Sequence, residues 1–193
     1  SFEDTRISIY VFGGGGLGKV VLATLLDANI QVSGVIDDNP CVPAIFDCPV
    51  ISAAEYFYRT QITGDLVHVA IGNNDIRLEK TEQIVQLGAK LLTVIHPTAT
   101  IFRGTTVGLG SFIGAACVIN SNTIVGESAI VNTGAIVEHD CNIDDYSFIG
   151  VRAVVGAGMK VGRHCVIKAG TIPEGHFDLP DNTSTQIGEI YRR

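Results

Sequence analysis

Few residues in this chain have the type and setting for chemistry. His139 stands in Val137-Glu138-His139-Asp140. A histidine with a pKa near neutrality can take the proton from an amine or hydroxyl as that group attacks an acyl donor. An adjacent carboxylate, here Asp140, can orient the ring and stabilise the imidazolium. On spacing alone, an exposed structural histidine is the better reading. The other histidines read as bland: His68 in or beside a strand, His96 at a junction, His164 on an outer corner, His176 in the tail. No pair of them has metal-ligand spacing, and Cys41 and Cys48 lack a CxxC arrangement, so no metal is expected.

A second constellation is Gly13-Gly14-Gly15-Gly16-Leu17-Gly18. Gly13, Gly15 and Gly18 satisfy G-x-G-x-x-G after the β-branched run Ile7–Phe12, and Asp37 follows about twenty residues on. Backbone N–H groups at a helix N-terminus can approach phosphates there without an intervening side chain. Asp37 and Asp38 end the second strand and can accept from a ribose or base. A tight ligand-free turn and a solvated β-turn are the competing readings.

The elements that must position these residues fall into two kinds. Along residues 1–96, strands are expected at Ile7–Phe12, Val32–Ile36, Leu66–Ile71 and Leu91–Ile95. Helices are expected at Lys19–Asn29, Ala53–Arg59 and Asp75–Leu87, with Gly88 as a stop and a loop around Pro43 and Pro49. This alternation indicates a small parallel sheet covered by helices. With four strands it makes one mononucleotide-binding half and leaves little room for NAD, so an NAD-dependent oxidoreductase is a weak competitor.

From Ile101 to Ile167, every sixth residue is Ile or Val, twelve in succession. A 3.6-residue period would scramble that register, so a helix is excluded. Gly, Asn or Asp usually follows the aliphatic and is expected to form the corner; a small side chain stands four residues after it. The pattern is that of a parallel β-helix, three hexads to a triangular coil, about four coils and on the order of 20 Å tall. Residues 97–193 are expected to form this prism and a covering tail, with the register stopping at Pro173 and a short helix or strand near Ile187–Tyr191. Cys117, Cys141 and Cys165 occupy the small position on three different faces and read as buried reduced thiols.

Composition narrows the classes. The 193 residues carry a formal charge of −7 and are 46% hydrophobic and 17% charged, which argues against disorder and against nucleic acid as the main partner. No apolar run approaches the roughly 18 residues of a membrane span, and no signal peptide is evident. A cytoplasmic protein with no membrane partner is expected.

The glycine turn from Tyr10, Ala70–Arg77 (AIGNNDIR), Ile95–Ala99 (IHPTA) and the hexads together resemble one family, the hexapeptide-repeat sugar acetyltransferases. That family includes bacterial nucleotide-4-amino-sugar N-acetyltransferases and sialic acid O-acetyltransferase-like proteins. The resemblance implies a left-handed β-helix, a homotrimer with sites between neighbouring prisms, and acetyl-CoA as co-substrate. It implies a nucleotide sugar, UDP- or dTDP-linked, at Gly14, Gly15, Gly16, Leu17, Asp37, Asp38 and Gly72. It makes His139 the general base supported by Asp140, puts Asn132 near the acceptor sugar, and puts acetyl-CoA at Phe148, Ala157 and Ala169. No cysteine or serine lies in a nucleophile motif, so direct transfer is expected. The chain departs from the pattern at Phe148, where members often carry a second histidine near the acetyl group. That departure keeps open a non-catalytic nucleotide-sugar-binding scaffold.

Overall fold

The computed structural model describes residues 7–59, 62–173, 175–176 and 178–192. The chain parts into two compact units: Ser1–Ile71 with Glu79–Leu92, and Gly72–Leu78 with Thr93–Arg193.

In the first unit the strands are β1 (Ile9–Phe12), β2 (Gly34–Asp37), β3 (Ala44–Ile45), β4 (Cys48–Ser52), β5 (Leu66–Val69) and β6 (Lys90–Leu91). The helices are α1 (Gly16–Asp27), α2 (Ala53–Phe57) and α3 (Asn74–Gln86), the last running across the division between units. The sheet order is β3-β4-β2-β1-β5-β6, parallel except for the β3–β4 hairpin. Alternation along β1 sends Tyr10 and Phe12 into a core with Ile36, Tyr56, Val67 and Ile84. The hairpin replaces the loop expected around Pro43 and Pro49. It turns at Phe46 and Asp47, both at positive φ (48° and 61°), and a Phe-Asp pair does not advertise such a turn. Gly88, at φ 89°, does end α3: its N–H reaches the Val85 carbonyl and the Ala89 N–H reaches that of Ile84.

The single strand expected over Leu91–Ile95 is two. Lys90–Leu91 pairs with Leu66–Val67, whereas Val94–Ile95 pairs with Phe112–Ile113 in the prism. The second compact unit, which also takes Gly72–Leu78, resumes at Thr93.

The prism has three parallel faces. The first carries Val94–Ile95, Phe112–Ile113, Ile130–Val131, Phe148–Ile149 and Val166–Ile167; the second carries Thr100–Ile101, Val118–Ile119, Ile136–Val137 and Val154–Val155; the third carries Thr106–Val107, Ile124–Val125, Asn142–Ile143 and Lys160–Val161. Each strand pairs with the one a full coil away, as Phe112 does with Ile130. The inward aliphatics from Ile113 to Ile167 are essentially fully buried, each stabilising the fold by about 1.5–3 kcal/mol.

Two features of the repeat differ from the sequence reading. The left-handed corner lies three residues after the aliphatic, at Ala116, Asn122, Ser128, Asp140, Tyr146, Arg152 and His164, all with φ between 50° and 59°. The glycine directly after the aliphatic is needed for close approach: a Cβ on Gly108 would meet the Gly126 backbone at 2.5 Å. The small position also bonds. Ser111, Thr123 and Ser147 hydroxyls donate to the carbonyls of Gly126, Glu138 and Gly162, fifteen residues on, and the thiols of Cys117, Cys141 and Cys165 reach Asn132, Gly156 and Pro180 in the same way. Burial pushes those three thiols above their ordinary pKa.

The register does not stop at Pro173. Leu179 bridges to Val161, Ser184 to Val166, and Ile190–Tyr191 pairs with Ile172–Pro173, adding a coil. Thr185 can sit inside because its hydroxyl lies 2.9 Å from that of Thr171. Glu174, Phe177 and Arg193 of the expected tail lie outside the described residues.

Candidate active site

In the first unit, β1 delivers the glycine turn and α1 leaves it. Gly13 adopts φ 114° and its N–H donates to the Ile36 carbonyl at 2.7 Å. A Cβ on Gly18 would collide with the Gly13 carbonyl, so that glycine is required by the turn itself. Gly15 and Gly16 are different: a Cβ on either would meet nothing within 4 Å. Gly15 caps α1 without a side-chain bond, and the first turn carries no acidic residue, so the head of α1 offers an anion backbone N–H groups without a competing charge. Gly15→Ala should therefore leave the melting temperature within a degree or two, and if a diphosphate-bearing ligand sits at the head of α1 it should weaken that binding at least about tenfold. Gly18→Ala should lower both. Calorimetric titration beside thermal unfolding checks the contrast.

Asp37 is occupied in shaping this turn. Its Oδ2 accepts from Gly14 N and its Oδ1 from Asn39 N, both at 2.8 Å. Asp38 is paired with Lys80 at 3.1 Å, and that ammonium lies 5.8 Å from the Phe12 ring centroid.

In the second unit, His139 and Asp140 occupy the corner that follows the second face. His139 Nδ1 lies 2.7 Å from Asp140 Oδ2. A carboxylate only accepts, so Nδ1 carries the proton, and in the neutral ring it is Nε2 that presents a lone pair. Both side chains are more than half exposed. Hydrogen bonds from His139, and then from Asn122, hold the Asp140 carboxyl below its ordinary pKa. The corner is pinned from both sides, by Asp140 N donating to the Ser121 carbonyl and Gly158 N donating to that of His139. Ala157 lies on the same corner, one coil below His139.

Asn132 and Ala169 lie on a different corner, the one between the first and second faces. Asn132 Oδ1 accepts from Thr133 N at 2.8 Å. Strand Ile136–Val137 separates that corner from His139, so one chain does not bring the two together. Phe148 is on the first face, where a Cβ on Gly72 would be 3.8 Å from its ring; these two expected ligand residues are neighbours.

The sequence reading passed over Asn73, Asn74 and Arg77 as single residues. Asn73 Oδ1 caps α3 by accepting from Asp75 N and Ile76 N. Asn74 donates to the carbonyls of His164 and Cys165. Arg77, fully buried, donates to Ser128 O (2.8 Å), Tyr146 O (2.8 Å), Gly72 O (3.2 Å) and Asn74 Oδ1 (2.7 Å). Desolvation lowers its pKa to about 10. Among the described residues, no group of histidine, cysteine and carboxylate side chains is arranged to hold a metal, and no helix is long and apolar enough to cross a membrane.

Residues 8–84 match the family described as the PglD N-terminal domain. GDP-perosamine N-acetyltransferase of Escherichia coli O157:H7 is 27% identical over 142 residues, covering 70% of this chain and 64% of that protein, so the match spans less than two thirds of that relative. A perosamine N-acetyltransferase from Caulobacter crescentus with one histidine changed to asparagine, solved with CoA and GDP-perosamine, superposes with a TM-score of 0.87 at 26% identity, over 96% of this chain and 89% of that one. The acetyltransferase domain of PglB from Neisseria gonorrhoeae FA1090, in complex with acetyl coenzyme A, gives 0.77 at 29% identity, over 92% and 94%. These matches bear out the resemblance to sugar N-acetyltransferases and the fold of an α/β domain followed by a parallel β-helix.

Proposed function

We propose that this chain, similar to nucleotide-sugar N-acetyltransferases, moves the acetyl group of acetyl-CoA onto the 4-amino group of a nucleotide-linked deoxyamino sugar. The observation that carries the reading is the His139–Asp140 pair on an exposed corner, with Nε2 presenting its lone pair. The acceptor amine attacks the thioester carbon and gives its proton to Nε2. Asp140 stabilises the imidazolium, and the CoA thiolate leaves. The free space beside Gly15 and Gly16 at the head of α1 supports a diphosphate there. The relatives' substrate is GDP-perosamine, so GDP joins UDP and dTDP among the nucleotides this site could take.

A homotrimer belongs to the same proposal. The outward residues of the second face include Val118, Ile136, Val154 and Ile172, with Ile136 and Ile172 exposed. This apolar stripe lies between the corner bearing His139 and Ala157 and the corner bearing Asn132 and Ala169. Two abutting copies would bring opposite corners to one acetyl-CoA and one sugar, which a single prism cannot.

The test is CoA-thiol release from acetyl-CoA with GDP-, UDP- and dTDP-linked 4-amino sugars, and with the matching 4-hydroxy sugars. Turnover confined to one 4-amino sugar is expected. Turnover only with hydroxyl acceptors, including free sialic acid, would replace N- by O-acetylation. Binding without any turnover would leave a scaffold.

A further inference from the structure

The coil above His139 is built to hold both of its flanking acids. Residues 120–122 (Asn-Ser-Asn) lie directly over residues 138–140 (Glu-His-Asp), eighteen positions on. Asn120 Nδ2 donates to Glu138 Oε2 at 3.1 Å, and Asn122 Nδ2 lies 3.4 Å from Asp140 Oδ1, the oxygen that His139 does not use. Between them, Asp140 N donates to the Ser121 carbonyl at 3.0 Å. Space for the Asn122 amide is reserved one coil higher still, because a Cβ on Gly104 would strike its oxygen. Asn122 and Asp140 both hold the left-handed corner conformation, φ 57° and 59°, so their side chains leave equivalent points of the stack.

We propose that Asn122 is a positioning residue for the proposed base: its amide fixes Asp140 so that the carboxylate stays aligned with His139 Nδ1. This rests on His139 acting as the base. The contact at 3.4 Å is long, and catalytic hydrogen bonds commonly tighten when substrate arrives. The amide also favours the ionised form of Asp140, which is the form that can accept from the imidazolium. Among the described residues, the other charged or titratable groups on this edge are Glu138 beside His139, Cys141, whose buried thiol reaches the His139 carbonyl at 3.7 Å, Arg103 two coils above, and His176, whose Nδ1 lies 3.1 Å from the Ala157 carbonyl one coil below. None of them is bonded to Asp140 among the contacts described, which leaves His139 and Asn122 as its side-chain partners.

Two substitutions test this in opposite directions. Asn122→Gly deletes the amide and places at φ 57° a residue at ease there, so the backbone is not strained. Asn122→Asp keeps the shape but sets a second negative charge against Asp140. With acetyl-CoA and the active acceptor, Asn122→Gly should lower kcat about tenfold with both KM values within twofold, and move the acid limb of the kcat/KM profile to lower pH as the imidazolium loses its aligned partner. Asn122→Asp should move that limb to higher pH, because added negative charge raises the pKa of His139. Histidine ring titration by NMR reads the same two displacements if turnover is too slow to follow. Parallel losses with an unmoved profile would reduce Asn122 to a structural corner and overturn the proposal. His139→Ala run beside them separates the failures: if it keeps its turnover, the base assignment itself is wrong, whereas if it is inactive while both Asn122 profiles stay put, only this inference falls.

Discussion

Arg77→Met is expected to lower the unfolding free energy by about 4 kcal/mol. Methionine fills most of the volume but supplies no donor. The carbonyls of Ser128 and Tyr146, and Asn74 Oδ1, then lose their 2.7–2.8 Å partners inside the fold. Each stranded buried acceptor costs roughly 1–3 kcal/mol. Lysine should fail nearly as badly, since one ammonium cannot reproduce a planar fork that reaches separate coils. Denaturant unfolding of both variants checks this, and a loss below about 1 kcal/mol would show that the guanidinium is not what ties residues 72–78 to the prism.

The second large effect concerns assembly. Ile136→Glu puts a charge in the middle of the apolar stripe on the second face, where the wild-type side chain is 37% exposed in the single chain. If that face packs against a second copy, burying an unpaired carboxylate there costs several kcal/mol per contact and the assembly should dissociate. Light scattering is expected to give a trimer for the wild type and a monomer for the variant. Turnover should fall by at least about a hundredfold even though the His139–Asp140 pair of each chain is untouched. An active monomer, or an intact trimer, would mean that the site is complete within one chain or that another face makes the contact.

How much was legible in the sequence differs from element to element, for physical reasons. The inward aliphatics announced the prism because a two-residue strand every six positions leaves no other period. Glycine after the aliphatic suggested a left-handed backbone there, yet its role is clearance for the next coil, and the left-handed residue sits two places later, where Tyr146, Arg152 and His164 tolerate it. The last coil hid because Leu179, Thr185 and Tyr191 fill inward positions without repeating Ile or Val. At the candidate site, His139 and Asp140 are adjacent and could be read directly. Asn120 and Asn122 act across a coil, and Arg77 bonds residues 51 and 69 positions away, separations that no local pattern encodes. Asp37 is expected to meet a ligand, and its two oxygens also hold the glycine turn by accepting from Gly14 N and Asn39 N, a role its position at a strand end does not announce.

The most direct test of the account is thiol release by the wild-type and His139→Ala proteins, run side by side with acetyl-CoA and the acceptor that the panel identifies. The account predicts a fall in kcat of about a hundredfold or more, with acceptor affinity by calorimetry unchanged, because the ring accepts a proton only as the bond forms. Turnover that survives the substitution would contradict it, leaving acetyl transfer in place but removing His139 as its base.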